Sequence, residues 1–427
     1  MKRASDVGYL LAAAIVLLVL GTPQIAIAQI ETGADSSQTV CSASDSSCAE
    51  HEAAIPPHQT ATPKAGTISA PALATEPHQV FLNPEQYGIS FHGALVHDWS
   101  KDLNDSVGMA SGFGRLSFDL SATVNGKRTF NLGGNTILVR LKQHVEEFGA
   151  TGDGAAQLYS NIDGPSRTTL FEIWTEQRAF GEKLRFKAGK IDANTEFATV
   201  QGAGDFLNSS MGYSPTILAF PTYPEPQPGV NLFVRPGNNY SLGAGVFRGT
   251  GGGVLSVVEP GATWSAGQTD LAGRAAFGYW RLGKTIDCFD GEVASSSQGF
   301  YTVLEQAVWK SSSSGSLRSL SSFFQFGRAD GNVSPFTQHI GGGIVLQAPL
   351  SGRAHDSLGI GVTRVGFSSQ PGAHFDHNAE TILESYYKVA ITKHLSLVQD
   401  FQFLHHPGGL RSHLDCPVIT PRLVASF

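Results

Sequence analysis

Short segments in which apolar and polar residues alternate recur from about residue 86 to the C-terminus, and this period of two limits the possible folds. In GRLSFDLSATV, for example, Leu116 and Phe118 alternate with Ser117 and Asp119. Successive side chains of a β-strand point to opposite faces of the sheet, so this segment predicts a two-faced strand. NTILVRLKQH and LSLVQDFQFL repeat the pattern. We therefore expect a chain built from antiparallel strands.

The alternation predicts 16 strands between residue 86 and Phe427. The connections between these strands alternate in length. The predicted tight connections are 180–183, 236–239, 311–315 and 391–394. The predicted long connections are 145–167, 192–229, 285–298 and 404–416. An outer-membrane barrel has short turns at one end and long loops at the other, and its even strand number places both termini on the periplasmic side.

A water-soluble β-sandwich would also alternate, so the alternation alone leaves both folds open. The connection lengths and the last segment, PVITPRLVASF, favour the membrane barrel, because Ile419, Leu423, Ala425 and Phe427 share one face. The predicted fold class is all-β, a 16-stranded antiparallel transmembrane β-barrel with an inward-folded third external loop. The eighth strand is the weakest prediction, because Pro260 cannot donate to a hydrogen-bond ladder.

The first 80 residues of the chain have a different composition. Residues 1–28 combine a basic start, an apolar core and small residues before Gln29, which predicts a secretory signal peptide. Residues 29–80 are rich in Ser, Ala and Pro, which predicts a disordered periplasmic leader. Residues 81–427 would then form an outer-membrane porin β-barrel. The expected location is the outer membrane of a Gram-negative bacterium.

Charge and hydropathy exclude other classes of protein. The mean hydropathy is −0.06, and no run of 18 apolar residues follows the apolar core near the N-terminus. Both observations argue against a helical membrane protein. The net charge of −7 and the absence of a Lys/Arg run argue against binding of nucleic acid.

The segment GYWRLGKT, from Gly278 to Thr285, matches the phosphate-binding pattern G-x-x-x-x-G-K-[ST]. Its four central residues are bulky, whereas a phosphate loop exposes backbone N–H groups and leads into a helix. The following TIDCFDGEVASSS contains no amphipathic helix. We interpret the match as part of a β-strand, and we expect no cofactor.

Several segments, in the same order along the chain, resemble the carbohydrate-selective porin family of the OprB type. They are FEIWTEQRAFGEKLRFKAGKIDANTEFA (171–198), GDFLNSSMGYSPTI (204–217), GFYTVLEQAVWK (299–310), APLSGRAHDSLGIGVTRVGFS (348–368) and ESYYKVAITKHLSLVQDFQFLHHPGG (384–409). The resemblance departs from the family pattern at Gln399, where Pro is usual, at Pro421, and in the four cysteines. It implies a 16-stranded outer-membrane channel for sugars. The aromatic C-terminus resembles the signal read by the outer-membrane barrel assembly machinery, which makes Phe427 its expected contact.

A sugar channel needs polar groups that replace water on the hydroxyls and an aromatic face that stacks on the ring. The alternation of TLFEIWTEQRAF places Phe171 and Ile173 on one face and the charged residues with Trp174 on the other. Turning those charges into lipid would cost up to about 2–4 kcal/mol for an arginine, so the charged face is expected to line the pore. The predicted pore-lining and substrate-binding residues are Trp174, Glu172, Glu176, Arg178, Arg185, Lys187, Arg140 and Lys142. Arg115 and Asp119 are further expected lumen charges.

Each of these assignments has an alternative. Charges line porin lumens in general, and Trp174 could be a packing or membrane-interface residue. Glu172 and Glu176 could be a glycosidase acid pair, but i and i+4 in a strand lie about 13 Å apart, too far for that chemistry. The sequence therefore predicts no catalytic residues. It also predicts no metal site, because the 14 histidines are scattered.

The predicted third external loop, 192–229, is long and rich in aromatic residues and proline. A loop of this kind is expected to pack on protein, so we predict that it folds into the barrel and narrows the pore. An outward cap packed on other loops is the alternative. Cys288 and Cys416 are both predicted outside, where a disulfide between them is chemically allowed.

The expected function is passive, sugar-selective diffusion of carbohydrates into the periplasm. The expected partners are small permeating sugars, outer-membrane lipid and the barrel assembly machinery, with a homotrimer and a monomer both open. The alternatives are an outer-membrane barrel with a structural or surface-interaction role and, less favoured, an outer-membrane hydrolase.

Overall fold

The computed structural model of the chain describes residues 84–104, 112–146, 154–267, 271–313 and 316–427. The predicted signal peptide, the predicted disordered leader and their two cysteines lie outside these residues, so both remain predictions. Within the described part of the chain, no helix is both long enough and apolar enough to span a membrane.

Sixteen strands form a closed antiparallel barrel in which each strand pairs with its neighbours in sequence and β1 pairs with β16. This confirms the predicted all-β class and the 16-stranded antiparallel barrel. The strands are β1 Ile89–Asp102, β2 Phe113–Asn125, β3 Asn135–Glu146, β4 Arg167–Ala179, β5 Leu184–Ile191, β6 Gln227–Val234, β7 Tyr240–Arg248, β8 Val254–Ala266, β9 Leu271–Asp287, β10 Val293–Lys310, β11 Ser319–Ala329, β12 Phe336–Gln347, β13 Ser357–Phe367, β14 Ala379–Ala390, β15 Leu395–His405 and β16 Cys416–Ser426.

Helical structure is confined to short segments in the connections. Two single-turn α-helices are α1 Gly126–Phe130 and α2 Ser209–Gly212. The 3₁₀ turns are Pro84–Tyr87, Ala193–Thr195, Gln201–Ala203, Pro371–Ala373 and Pro407–Gly409. Three of these seven short helices belong to the connection between β5 and β6, which is the predicted third loop.

The prediction of a long connection at residues 285–298 is wrong. β9 continues to Asp287 and β10 begins at Val293, so the turn covers only residues 288–292. The ladder between these strands continues past a register shift between Ala294 and Ser296. Small residues such as those of ASSS have weak strand propensity, and they were therefore interpreted as a loop.

Two prolines interrupt the hydrogen-bond ladders without changing the register. Val258 pairs with Tyr279 and Gly261 with Ala276, and the positions between them, including Pro260, form no pairs on that side. The seam between β1 and β16 has a similar gap at Pro421. A proline lacks the N–H that a ladder needs, and the neighbouring pairs hold both strands in place.

The outer surface of the strands is apolar. Large hydrophobic side chains with 37–50% exposure occur on most strands. Examples are Phe91, Ile173, Phe186, Leu232, Val246, Val258, Phe277, Phe324, Ile344, Ile360, Leu383, Phe401 and Leu423. An outward apolar band is what a transmembrane barrel presents to lipid.

The phosphate-loop match lies entirely within β9, where the backbone is extended. Trp280 and Leu282 of this segment are buried in the largest apolar cluster. A Cβ atom at Gly278 would lie 1.9 Å from the ring of Tyr301, so this glycine makes room for a neighbouring aromatic side chain. The letter match therefore reflects packing between β9 and β10.

Cys288 and Cys416 are thiols and are not joined in a disulfide. Cys416 is 1% exposed and packs with Ile382, Leu404 and Val418. A buried cysteine behaves as a small apolar residue, which accounts for its place in this cluster. The disulfide that the sequence allowed is absent.

Candidate functional site in the barrel wall

The strand β4 carries an irregularity that the alternation did not predict. Arg140 of β3 pairs with Glu172, and the next residue, Leu141, pairs with Leu170, so Phe171 is an extra residue in the ladder. Phe171 is 1% exposed and lies on the same buried face as Glu172. The prediction that Phe171 shares the outer face with Ile173 is therefore wrong, because a β-bulge shifts the alternation by one residue.

Four charged side chains meet across β2, β3 and β4. The guanidinium of Arg140 binds Asp119 at 2.9 Å and Glu172 at 3.1 Å. The ammonium of Lys142 lies 3.5 Å from Asp119 and 4.5 Å from the ring centroid of Phe171. Two cations and two carboxylates thus balance in one buried group.

A second group joins β4 to β5. Glu176 accepts hydrogen bonds from Arg178 at 2.7 Å and from Arg185 at 3.1 Å, and Lys187 lies 3.4 Å from the same carboxylate. The register pairs Glu176 with Lys187 and Arg178 with Arg185, so the cross-strand neighbours are on one face as predicted. Glu176 and Lys187 are buried, whereas the side chains of Arg178 and Arg185 are 46% and 23% exposed.

Glu196, from the connection after β5, completes this group. Its carboxylate accepts from Lys187 at 2.5 Å and pairs with Arg185 at 2.6 Å. Burial alone would raise the pKa of Glu196, but the charges of Lys187 and Arg185 lower it below its usual value. Glu196 therefore remains ionised while buried, and it ties the third loop to the wall.

Trp174 lies between the two charged groups and packs against the largest apolar cluster. The ammonium of Lys187 sits 3.8 Å from the centre of its ring. Trp174 pairs with Gly189, whose φ of +143° and close contact with the Trp174 backbone suit only glycine. One face of the indole therefore carries a cation, which is favourable on an aromatic face.

We call the set of inward charges with Trp174 the charged wall. It consists of Asp119, Arg140, Lys142, Glu172, Trp174, Glu176, Arg178, Arg185 and Lys187. All eight predicted site residues belong to it. Their role in binding a sugar stays a prediction.

Asp192 connects the wall to the start of the third loop. Its backbone N–H donates to Glu172 at 3.1 Å, and its carboxylate accepts from Thr222 at 2.7 Å and from the N–H of Asn194 at 3.1 Å. Burial and the neighbouring Glu172 carboxylate raise the pKa of Asp192 to about 6. The two ends of the loop are thereby held together beside the wall.

The third loop, residues 192–226, contacts strands far around the barrel. Glu259 of β8 accepts the N–H of Ala198, and Glu305 of β10 accepts the N–H of Gly202. Further along the loop, Glu384 of β14 accepts hydrogen bonds from the N–H groups of Leu207 and Asn208, at 2.5 and 3.1 Å. Gln325 of β11 donates to the carbonyl groups of Ser210 and Met211, at 2.6 and 2.7 Å. Several aromatic residues of the loop are buried in the largest apolar cluster, among them Phe197, Phe206, Tyr213 and Phe220.

Sequence reasoning missed a second anchored segment, in the connection between β3 and β4. Glu380 of β14 accepts the N–H groups of Ala156 and Gln157, both at 2.8 Å. Asp98 of β1 accepts from Ser160 at 2.7 Å and forms a two-pronged pair with Arg422 at 2.6 and 2.7 Å. The signal in the sequence for this segment is the acidic residues Asp98 and Glu380. They do not reveal which groups of the chain donate hydrogen bonds to them.

The structure also brings together residues that looked scattered in the sequence. His405, His406 and Asp415 offer possible metal-ligand atoms that all lie within 4.8 Å of one another. They meet because β15 and β16 form a hairpin, so residues ten apart in the chain face each other. Three side chains with metal-binding atoms therefore lie together, and the absence of a metal site stays a prediction.

A closed barrel of 16 antiparallel strands, with an apolar outer surface and inward charges, defines the class of the protein as an outer-membrane porin. The family model described as "Carbohydrate-selective porin, OprB family" matches residues 114–273 and 249–427. These matches span most of the chain, and the chain belongs to the OprB family of carbohydrate-selective porins. It is an outer-membrane protein of a Gram-negative bacterium.

Solved structures agree on the fold. The high-pH structure of Pseudomonas putida OprB is 17% identical, with a TM-score of 0.71 over 81% of this chain and 95% of that one. The low-pH structure of the same protein is 18% identical, with a TM-score of 0.53 over 81% of this chain and 94% of that one. A loop-deletion mutant of OmpT from Vibrio cholerae is 9% identical, with a TM-score of 0.50 over 79% of this chain and 99% of that one. Comparison with curated proteins gives no significant match.

Proposed function

We propose that this porin allows sugars to cross the outer membrane by passive diffusion and that the charged wall selects them. The observation that carries the proposal is the joining of the wall to the third loop through Lys187, Arg185 and Glu196. This arrangement places paired donors and acceptors beside the segment expected to narrow the pore. Sugar hydroxyls both donate and accept hydrogen bonds, so a surface with both kinds of group suits them.

We propose that the third loop lies inside the barrel and forms the constriction. Its hydrogen bonds to β8, β10, β11 and β14 support this, since an outward cap could not reach inward side chains on so many strands. The apolar contacts of Phe206 with Phe323 and Tyr386, at ring distances of 5.4 and 4.8 Å, support it further.

The exposed parts of the charged wall are the expected contacts for the solute. The side chain of Arg178 is 46% exposed and that of Arg185 is 23% exposed, whereas Lys187 and Glu176 are almost fully covered. Arginine presents several N–H donors in one plane, which suits adjacent hydroxyl oxygens. The buried members hold these donors in place.

No catalytic step is proposed. Glu172 is engaged by Arg140, and Glu176 by Arg178 and Arg185, so both carboxylates have structural partners. A barrel with a blocked lumen and a structural role is the second candidate. It is favoured by the segments 155–163 and 192–224, which are mostly buried and hydrogen-bond to several strands.

Liposome swelling tests the proposed function. Vesicles containing the full-length protein are placed in isotonic solutions of sugars and of amino acids of equal size. We expect swelling, and faster swelling with the sugars. No swelling and no ion conductance in a planar bilayer would support the blocked barrel, and equal rates for all solutes would refute the selectivity.

Shortening the third loop tests the constriction. Replacing residues 202–213 by a short Gly-Ser linker should raise single-channel conductance, because this part carries the contacts to β10, β11 and β14. A matched control shortens the turn 235–239, which lies outside this network. An unchanged conductance in the loop variant would contradict the inward fold.

We also propose that Phe427 is a contact for the barrel assembly machinery and that the barrel is either a homotrimer or a monomer. Support for the first comes from the position of Phe427 at the strand end, where its N–H and C=O pair with Gly93 at 3.0 and 2.8 Å. Deleting Phe427 should lower the amount of folded barrel in the outer membrane. Mass measurement of the detergent-extracted protein distinguishes a trimer from a monomer.

A further inference from the structure

We propose that the hairpin between β15 and β16 binds a divalent transition-metal cation of the Zn²⁺ class through His405, His406 and Asp415. These three residues lie at the end of the barrel that carries the long connections. The proposal is independent of the charged wall and of sugar transport.

The ligand atoms are already close to each other. The Nδ1 atom of His405 lies 2.6 Å from one carboxylate oxygen of Asp415, and all three ligand groups come within 4.8 Å. Zinc binds imidazole nitrogen and carboxylate oxygen at about 2.0–2.2 Å, which places neighbouring ligand atoms a little over 3 Å apart. A small opening of the His405–Asp415 hydrogen bond would therefore admit the ion.

Local structure holds the ligands in position. The backbone N–H of His406 donates to the other carboxylate oxygen of Asp415 at 2.8 Å, which fixes the carboxylate. The ring of His406 is stacked between His405 and His377, with centroids 3.8 Å apart on both sides. His406 has a φ of +56°, a backbone geometry that is uncommon outside glycine and asparagine and is often found at functional sites.

The charges around the cluster also bear on metal binding. The neutral imidazole is the form of histidine that coordinates a metal. Arg364 is a nearby cation that opposes binding, and the Asp415 carboxylate offsets it.

The choice of cation follows from the ligands. Two imidazoles and one carboxylate suit Zn²⁺ and similar ions, whereas Mg²⁺ and Ca²⁺ prefer oxygen ligands. Three protein ligands leave a fourth position for water. An exposed site of this kind at the barrel mouth would add positive charge to the entrance.

Calorimetric titration of the untagged, chelator-treated full-length protein in detergent tests the site. Titration with ZnCl₂ should show binding at this site, and MgCl₂ should show none. The variants His405→Gln, His406→Asn and Asp415→Asn should each weaken Zn²⁺ binding by about tenfold or more. His406→Asn keeps a residue that tolerates the left-handed backbone, and far-UV circular dichroism checks that each variant is folded.

His355→Gln is the matched control, because His355 is exposed in the connection between β12 and β13 and has no part in the cluster. It should bind Zn²⁺ as the unmodified protein does. Absence of Zn²⁺ binding, or equal affinity in folded site variants, would overturn the proposal. Neither result depends on whether sugars cross the barrel, so the proposed function would be unaffected.

Discussion

The charged wall and the inner face of β14 both carry buried charges, but they use them differently. In the wall, the cations and carboxylates of β2 to β5 bind one another, as Arg140 binds Asp119 and Glu172. On β14, the carboxylates of Glu380 and Glu384 accept backbone N–H groups from two loops. The carboxylates of β14 thus hold loops, while the wall leaves the side chains of Arg178 and Arg185 partly exposed.

Under the proposed function, a charged lumen residue is not by itself a binding residue. What separates the two regions is the partner of each charge and the remaining exposure of its side chain. A carboxylate saturated by backbone amides is structural, and its replacement should change the shape of the pore. A half-exposed arginine held by a buried carboxylate is available, and its replacement should change selectivity.

The largest effect is expected for Lys187→Glu. Lys187 lies between Glu176 at 3.4 Å and Glu196 at 2.5 Å, so the variant would bring three carboxylates together. Breaking a buried ion pair costs about 3–5 kcal/mol of unfolding free energy. Because the local field changes sign, reversal-potential measurements should show a shift toward cation selectivity.

The control for this variant is Lys127→Glu, at an exposed position in α1. It makes the same charge change away from the wall, and selectivity should shift much less. Equal shifts in the two variants would mean that net charge, and not the wall, sets selectivity.

A smaller effect is expected for Glu384→Gln. The N–H groups of Leu207 and Asn208 share one carboxylate oxygen, and the Asn208 N–H also lies 3.2 Å from the other oxygen. In the variant an amide NH₂ replaces one of the two oxygens, so one acceptor is lost and a donor faces a buried donor. That costs about 1–3 kcal/mol, measured by urea unfolding. Loosening of the loop should also raise single-channel conductance while ion selectivity stays near that of the unmodified protein.

Glu292→Gln is the matched control, since Glu292 is exposed in the turn between β9 and β10. Its stability and conductance should match those of the unmodified porin. A Glu384→Gln variant with unchanged conductance would show that β14 does not hold the loop in its narrowing position.

The smallest effect is expected for Arg178→Gln. The Arg178 side chain is 46% exposed, and exposed ion pairs contribute only about 0.2–1 kcal/mol to unfolding free energy. Sugar block of the ion current should nevertheless weaken, because an open donor is lost. Arg235→Gln, in the turn after β6, is the comparison and should leave sugar block unchanged.

The barrel was predictable because strand alternation is a local signal. It indicated all 16 strands and the shared face of Glu176 and Lys187. It could not indicate the bulge at Phe171. The extra residue is defined by the pairing of β4 with β3, and the sequence of β4 alone does not show that pairing. The small residues near 294 gave no sign that they would stay paired, because their strand propensity is weak.

Hydrogen-bond partners that are far apart along the chain could not be predicted from the sequence, for a different reason. Glu380 accepts backbone N–H groups, which every residue except proline carries, so no side chain marks the partner. The cluster of His405 and Asp415 depends on the hairpin register, which fixes which residues face each other across ten positions. Both kinds of contact therefore become visible only in the folded barrel.

Sugar block of ion current in planar bilayers, compared between the unmodified porin and Trp174→Ala, tests the central claim most directly. Losing one stacking ring should cost about 1 kcal/mol, which is about a fivefold loss of sugar affinity, with ion conductance equal or higher. Trp264→Ala, a change of a 38% exposed tryptophan on β8, is the control and should leave affinity unchanged. Lower barrel stability with unchanged sugar affinity in Trp174→Ala would show that Trp174 only packs, and would contradict the charged wall as the sugar site.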